Sequence, residues 1–266
     1  MIFGETSFNF SSIDSYHSSR SRRGREKVMH ALFTQFYFLF RVEILAIFTN
    51  LAARFGKKST AFWINRSQDV LRLVESCGGR ISISGLSNVR STSKPVVFIG
   101  NHMSTLENLT LFGIIGPIKD VTYVVKKELV HHWMFGPVMR MRKPVVVGRT
   151  NPREDFNIIM EEGAKTLNNG QSVIIFPQST RRSYFDPGDF NSVGVKLAQK
   201  AGVEIIPFAV KTDWWGNGRI SSYFGRINQS KPIFIKFGEP FRVAGNGRKE
   251  HQAVIRFIEN CQLEWK

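Results

Sequence analysis

The sequence is poor in cysteine and in acid. Only Cys77 and Cys261 occur in 266 residues, and they form no local pair pattern. That argues against a disulfide-stapled secreted scaffold and against a cysteine-based zinc site. Asp and Glu total 21 against 37 Lys and Arg, a net charge of +16. No Gly-x-Ser-x-Gly elbow is present, so the usual strained-turn serine nucleophile is missing. Helix-turn-helix, zinc and aromatic RNA-binding signatures are missing too. No uninterrupted apolar stretch reaches the roughly 20 residues that a membrane span needs. The first apolar stretch is not followed by a small-residue cleavage site, which argues against a cleaved signal peptide. There is no internal repeat.

What is present fits one large α/β domain with an appended segment. The hydrophobic share of 42% supplies a sizeable core. The basic excess points to an anionic partner: nucleic acid, an anionic membrane face or a phosphorylated substrate. Residues 1–27 are rich in Ser and end in Arg20, Arg22, Arg23, Arg25 and Lys27. They read as a disordered basic tail. Residues 28–40 are dense in Phe, Leu and Tyr and free of charge; Arg41 and Glu43 interrupt, and 44–48 resumes. This pattern reads as a helix in a membrane interface, aromatics buried and basic groups at the anionic surface. A helix packed on the protein's own core is the alternative. A second helix, 59–77, carries Phe62, Val70, Leu71, Leu73 and Val74 and stops at Gly78-Gly79. Residues 28–78 are therefore expected to form an N-terminal helical hairpin at a membrane interface, and 79–266 the α/β domain.

Beyond Arg80, short apolar runs alternate with stretches of helical spacing. Strands are expected at 81–83, 96–99, 121–125, 145–147, 173–176, 205–210 and 233–237. Helices are expected at 104–115, 129–141, 152–167, 193–201 and 254–261. Such alternation predicts a mostly parallel sheet flanked by helices.

Four strand ends carry polar clusters. Asn101-His102 follows the strand 96–99, with Ser104 and Glu107 just beyond. Lys126 and Lys127 follow 121–125, and Gly148-Arg149 follows 145–147. Gln178-Ser179-Thr180-Arg181-Arg182 follows 173–176. In a parallel sheet all four ends share the edge where open α/β folds place ligands. Histidine suits proton transfer near neutral pH, and a carboxylate on its far nitrogen would fix the tautomer. Glu107 also completes a Ser-x-x-Glu capping box with Ser104. The side chain is expected to serve only one of these partners well. Arg forks and Lys charges on the same edge could grip a phosphate.

Taken together, order and spacing resemble the glycerolipid acyltransferase superfamily, whose best-known members acylate lysophosphatidic acid. The motif of Asn-His, four residues, then Asp is matched by Asn101-His102 to Glu107. The second motif is matched by Lys126, Leu129, Gly136 and Arg149, and the third by Phe176, Pro177, Thr180 and Arg181. Ile206-Pro207-Phe208 matches the fourth. The resemblance implies acyl transfer from a thioester, acyl-CoA or acyl carrier protein, to the hydroxyl of a lysophospholipid such as 1-acylglycerol 3-phosphate. It implies His102 as general base, Glu107 as its orienter, and Lys126 with the backbone near Gly136 facing the oxyanion. Arg149 and Arg181 would hold the acceptor phosphate, supported by Thr180. Asn101, Ser104, Gln178 and Ser179 complete the expected substrate-binding set. No metal or bound cofactor is implied, and no nucleic acid. The protein would work at the cytoplasmic face of a membrane, peripheral or monotopic.

Three departures from the family pattern stand out. Glu107 replaces Asp, which adds a methylene and keeps the charge. Gln178-Ser179 replaces Glu-Gly, which bears on the acceptor more than on the chemistry. Trp133 stands where Pro is usual. Two other functions remain open on the residues alone: a hydrolase using Ser179 with His102 and Glu107, and a basic lipid- or nucleic-acid-binding protein with a decayed site.

Overall fold

The computed structural model describes residues 8–18, 29–56, 59–132, 136–178, 180–218 and 225–266. Among the described residues eight strands form one sheet: β1 (Tyr16–His17), β2 (Ile81–Ser84), β3 (Val96–Gly100), β4 (Val121–Lys126), β5 (Val145–Val147), β6 (Ser172–Ile175), β7 (Glu204–Lys211) and β8 (Ile233–Phe237). Their order is β1-β2-β8-β7-β3-β6-β4-β5. The run from β7 through β3, β6 and β4 to β5 is parallel throughout. Antiparallel pairing enters at β7–β8 and at β1–β2. The sheet is thus mostly parallel, as the alternation predicts.

Both faces are covered, and the strands show it. In β3, Val96 and Phe98 join one apolar cluster while Val97 and Ile99 join the other. Successive side chains of a strand point to opposite faces, so a strand buried twice is apolar at every position. On the first face lie α1 (Met29–Arg54), α2 (Thr60–Ser76), α3 (Leu86–Arg90), α4 (Leu106–Ile115), α5 (Lys127–His131) and α6 (Gly136–Met141). Helices α7 (Pro152–Ile158) and α8 (Ala164–Asn168) are joined by a π-helical turn, Ile159–Gly163. With α9 (Val193–Ala201) and α10 (Arg248–Glu264) they supply the second cluster.

Helix α4 is held by α2. The Ser67 hydroxyl donates to the Leu109 carbonyl and accepts from the Gly113 N–H at 2.7 Å. A Cβ at Gly113 would meet Ser67 Oγ at 2.8 Å, so only glycine lets the helices approach this closely. At the end of β3, a Cβ on Gly100 would run into the Phe208 ring at 2.4 Å. Phe208 thereby fills the space from which the next residues turn away.

Helix α1 has two unlike faces. Thr34, Phe38, Val42, Leu45, Thr49 and Ala53 recur at helical spacing and are buried. Phe38 stands edge-on to Trp214 and Trp215, with centroids at 5.2 and 5.0 Å. Gln35 donates to the Gly225 carbonyl and accepts from the Ile227 N–H. On the other side Phe33, Phe36, Phe40, Ile47, Phe48 and Leu51 are exposed, Phe36 to 71%. Residues Phe33–Arg54 are long and apolar enough to cross a membrane, with a mean hydropathy of 1.5 and 28% buried on the protein. The helix continues straight through Arg41 and Glu43, so the apolar run is longer than its uninterrupted part.

Two expectations need correction. The tail reading of 1–27 fails for residues 8–18: β1 pairs with β2, and Phe10 is fully buried. Phe8 stacks on Phe10 and Tyr16 stands edge-on to both, with ring centroids 5.2–5.9 Å apart, which serine-rich composition concealed. The basic run from Arg20 to Lys27 lies outside the described residues. The single helix expected at 129–141 is two, because α5 ends at an extended His132 and Pro137 lacks the N–H a continuous helix needs.

Candidate active site

The site begins where β3 stops. Asn101 is fully buried, and its amide pairs with the Val210 backbone of β7, donating to the carbonyl and accepting from the N–H, each at 2.9 Å. A side chain thus replaces the ladder bonds as the main chain turns away. His102 follows, with its side chain 15% exposed. Its ring lies on Phe176 at 4.3 Å and 22°. Its N–H donates to Gln178 Oε1 at 2.6 Å, and its carbonyl accepts from the Arg182 N–H at 3.1 Å.

Nδ1 of His102 lies 3.0 Å from Glu107 Oε1. A carboxylate only accepts, so Nδ1 carries the proton and Nε2 is left as the basic nitrogen. Glu107 Oε1 also accepts from the N–H groups of Met103 (2.6 Å) and Ser104 (2.8 Å). Oε2 accepts from the hydroxyls of Ser104 (2.9 Å) and Thr212 (2.6 Å). The expected choice between capping box and dyad is therefore overturned. One carboxylate serves both, because its two oxygens offer about four lone-pair sites.

Burial would raise the Glu107 pKa, but the hydrogen bond and charge of His102, with Thr212 and Ser104, hold it below the usual value. Burial pushes the His102 pKa down, against the pull of Glu107 and with help from Arg181 and Arg149. The pair at neutral pH is a neutral imidazole and an ionised carboxylate. That is the resting form of a general base with an orienting acid.

The cations arrive from neighbouring strand ends. Lys126 is the last residue of β4 and is exposed. Burial lowers its pKa, and Arg149 and Arg181 lower it further. Arg149 follows β5 in a left-handed conformation, φ 60°, which non-glycine residues rarely adopt. Asp155 holds that turn by accepting from the N–H groups of Gly148 (2.8 Å) and Arg149 (2.9 Å). The Arg149 guanidinium reaches the Gln178 carbonyl at 3.3 Å. Arg181 donates to Thr105 Oγ1 at the start of α4. Thr180 is exposed beside it. His102, Lys126, Arg149 and Arg181 thus share one rim at the carboxyl ends of parallel strands.

Several candidate residues do other work. Asn101, Ser104 and Gln178 are buried, and the polar groups described above bind protein groups rather than facing a substrate. They position the turn. Gln178 Nε2 is buried without a partner among the described residues. The Gly136 N–H donates to the His132 carbonyl at 2.8 Å, so it is not open to an oxyanion. Ser179 and Trp133 lie outside the described residues. Thr212 was not singled out in the sequence, although it sits directly past the fifth parallel strand.

Residues 80–211 match the family model described as Acyltransferase. The chain belongs to the glycerolipid acyltransferase superfamily. It is similar to the 1-acyl-sn-glycerol-3-phosphate acyltransferase of Pseudomonas aeruginosa, 31% identical over 151 residues, 56% of this chain and 57% of that one. A chloroplastic 1-acyl-sn-glycerol-3-phosphate acyltransferase of Arabidopsis thaliana is 29% identical over 53% of this chain and 37% of its own. The matched region thus spans less than two thirds of either relative. The crystal structure of the lysophosphatidic acid acyltransferase PlsC from Thermotoga maritima shares the fold, with a TM-score of 0.63. That match is 19% identical and covers 90% of this chain and 98% of the other.

Proposed function

We propose that this protein moves a fatty acyl group from a thioester, acyl-CoA or acyl carrier protein, to the hydroxyl of a lysophospholipid such as 1-acylglycerol 3-phosphate. The observation that carries the proposal is the His102–Glu107 pair on the rim shared with Arg149 and Arg181. Nε2 of His102 takes the proton of the acceptor hydroxyl as its oxygen attacks the thioester carbonyl. The C–O bond forms and the carbonyl becomes an oxyanion, which Lys126 faces as a fixed charge. Collapse breaks the C–S bond, and the imidazolium returns the proton to the leaving thiolate. Glu107 stays ionised throughout and stabilises the imidazolium. Arg149 and Arg181 grip the acceptor phosphate. No bound cofactor takes part; the thioester is a co-substrate.

The acceptor and product are amphiphiles, and α1 suits a surface where they collect. Its exposed Phe33, Phe36, Phe40, Ile47, Phe48 and Leu51, with Phe55 just beyond, make up most of the large exposed apolar side chains among the described residues. Fully burying such a side chain contributes roughly 1.5–3 kcal/mol. The net charge of +16 favours an anionic membrane face, and the reading puts the enzyme on the cytoplasmic side. An apolar cavity between α1, α2, α4 and α6, lined by Val42, Leu45, Trp63, Leu109, Phe112 and Met139, suits hydrocarbon and adjoins the helix bearing Glu107.

The test is transfer of labelled acyl groups from either thioester to a panel of lysolipids, native protein against His102→Ala. Removing the general base is expected to cost about 10²–10⁴-fold in rate while the circular dichroism spectrum is kept. Transfer undiminished in a folded His102→Ala protein would rule the mechanism out.

A further inference from the structure

We infer that Thr212 is a positioning residue for acyl transfer, holding Glu107 so that its Oε1 faces the imidazole of His102. The inference rests on the reading proposed above. Thr212 is the first residue past β7, fully buried, and its hydroxyl lies 2.6 Å from Glu107 Oε2 across 105 residues of sequence. Glu107 is a glutamate where the family pattern has aspartate, so it carries one more rotatable bond. Left loose, that bond would let the carboxylate swing and lose either His102 or the N–H groups of Met103 and Ser104. The hydroxyls of Thr212 and Ser104 hold Oε2 from two sides and fix the plane of the carboxylate. Oε1 is then left for Nδ1 of His102 at 3.0 Å.

Thr212 does not act alone on this turn. Asn217, in the same loop, donates its Nδ2–H to the Met103 carbonyl at 2.8 Å. Val210, two residues before Thr212, is clasped by Asn101. The strand β7 and its following loop therefore hold the segment 101–107 at three points. Only the contact of Thr212 touches the carboxylate that orients the base. Asn217 and Val210 fix the backbone, which many folded variants would tolerate. The distinction makes the hydroxyl of Thr212 testable apart from the packing of its methyl group.

Thr212→Val keeps the shape and removes the hydroxyl; Thr212→Ala removes both; Thr212→Ser keeps only the hydroxyl. The acyl-transfer assay is run on all three with thermal melting of each. The expected result is a fall in kcat of about tenfold or more for the Val and Ala variants, since the bond is to a charged group. KM for thioester and lysolipid should stay near native values. Thr212→Ser should recover most of the rate even if its melting temperature drops with the lost methyl. Native kcat in Thr212→Val or Thr212→Ala overturns the inference. So does a Thr212→Ser protein as slow as Thr212→Val, because the hydroxyl would then not be what matters. Should Thr212→Val not fold, Thr212→Ala against Thr212→Ser carries the comparison. A His102→Ala control separates the two failures. If it transfers normally, the acyl-transfer mechanism itself is wrong; if it is inert while Thr212→Val is native, only the role of Thr212 fails.

Discussion

The strand-end rim and the outer face of α1 both leave something costly uncovered, and they differ in what it is. At the rim, Arg149 and Arg181 add to burial in depressing the proton affinity of both Lys126 and His102, a crowd of like charge around a neutral imidazole. On α1 the uncovered groups are rings, with Phe33 and Phe36 about seven-tenths exposed. One surface favours an anion and the other hydrocarbon. A ligand that satisfies both has a charged head and an apolar tail. The two surfaces should therefore fail separately when each is damaged.

The largest expected effect is at the rim. Arg149→Ala or Arg181→Ala should raise KM for a phosphate-bearing lysolipid about 10- to 100-fold, the cost of hydrogen bonds to a charged group. An acceptor without phosphate should be used equally by native and variant proteins. Equal losses on both acceptors would mean the arginines do not read the phosphate. On α1, Phe36→Ser combined with Phe40→Ser should weaken binding to anionic vesicles by about tenfold or more, from the apolar area withdrawn. Transfer to a dispersed short-chain acceptor should be untouched. Unchanged vesicle partition in that variant would remove α1 from the membrane account.

The smallest effect is a matter of pH. With His102 depressed by burial, kcat/KM should hold as pH falls through 6.5 and decline only below it, as imidazolium forms. A rate profile whose acid limb has its midpoint at or above 6.5 contradicts the burial of the ring. Stability carries the same sign. The folded state binds fewer protons at His102 and Glu107 than the unfolded chain, so acidification through the unfolded values and then the folded ones destabilises it.

Much of this was legible because strand ends are legible. An apolar run closed by a polar cluster marks a place on the sheet edge, and parallel pairing brings such places together. His102, Lys126, Arg149 and Arg181 are found that way. Direction is what the pattern does not give. Asn101, Ser104 and Gln178 stand next to the rim in sequence yet point inward, each held by a backbone or carboxylate partner. Gly136 has the right place and an occupied N–H. Thr212 is a single hydroxyl beyond an apolar strand, and it reaches Glu107 only because β7 lies beside β3. Residues 8–18 were hidden for a different reason: three aromatics pack well enough to order a stretch whose average composition is that of a tail.

The seating of Phe38 against Trp214 and Trp215 has a mechanical consequence. Those indoles belong to the loop that also carries Thr212 and Asn217, and Gln35 bolts the same helix to residues 225 and 227. Helix α1 is thus a rigid mount, not a tethered float. On the proposed function, wherever its outer rings settled in a lipid layer the imidazole would be carried to a fixed height above them, and an acceptor would be acylated only if its hydroxyl rode at that level.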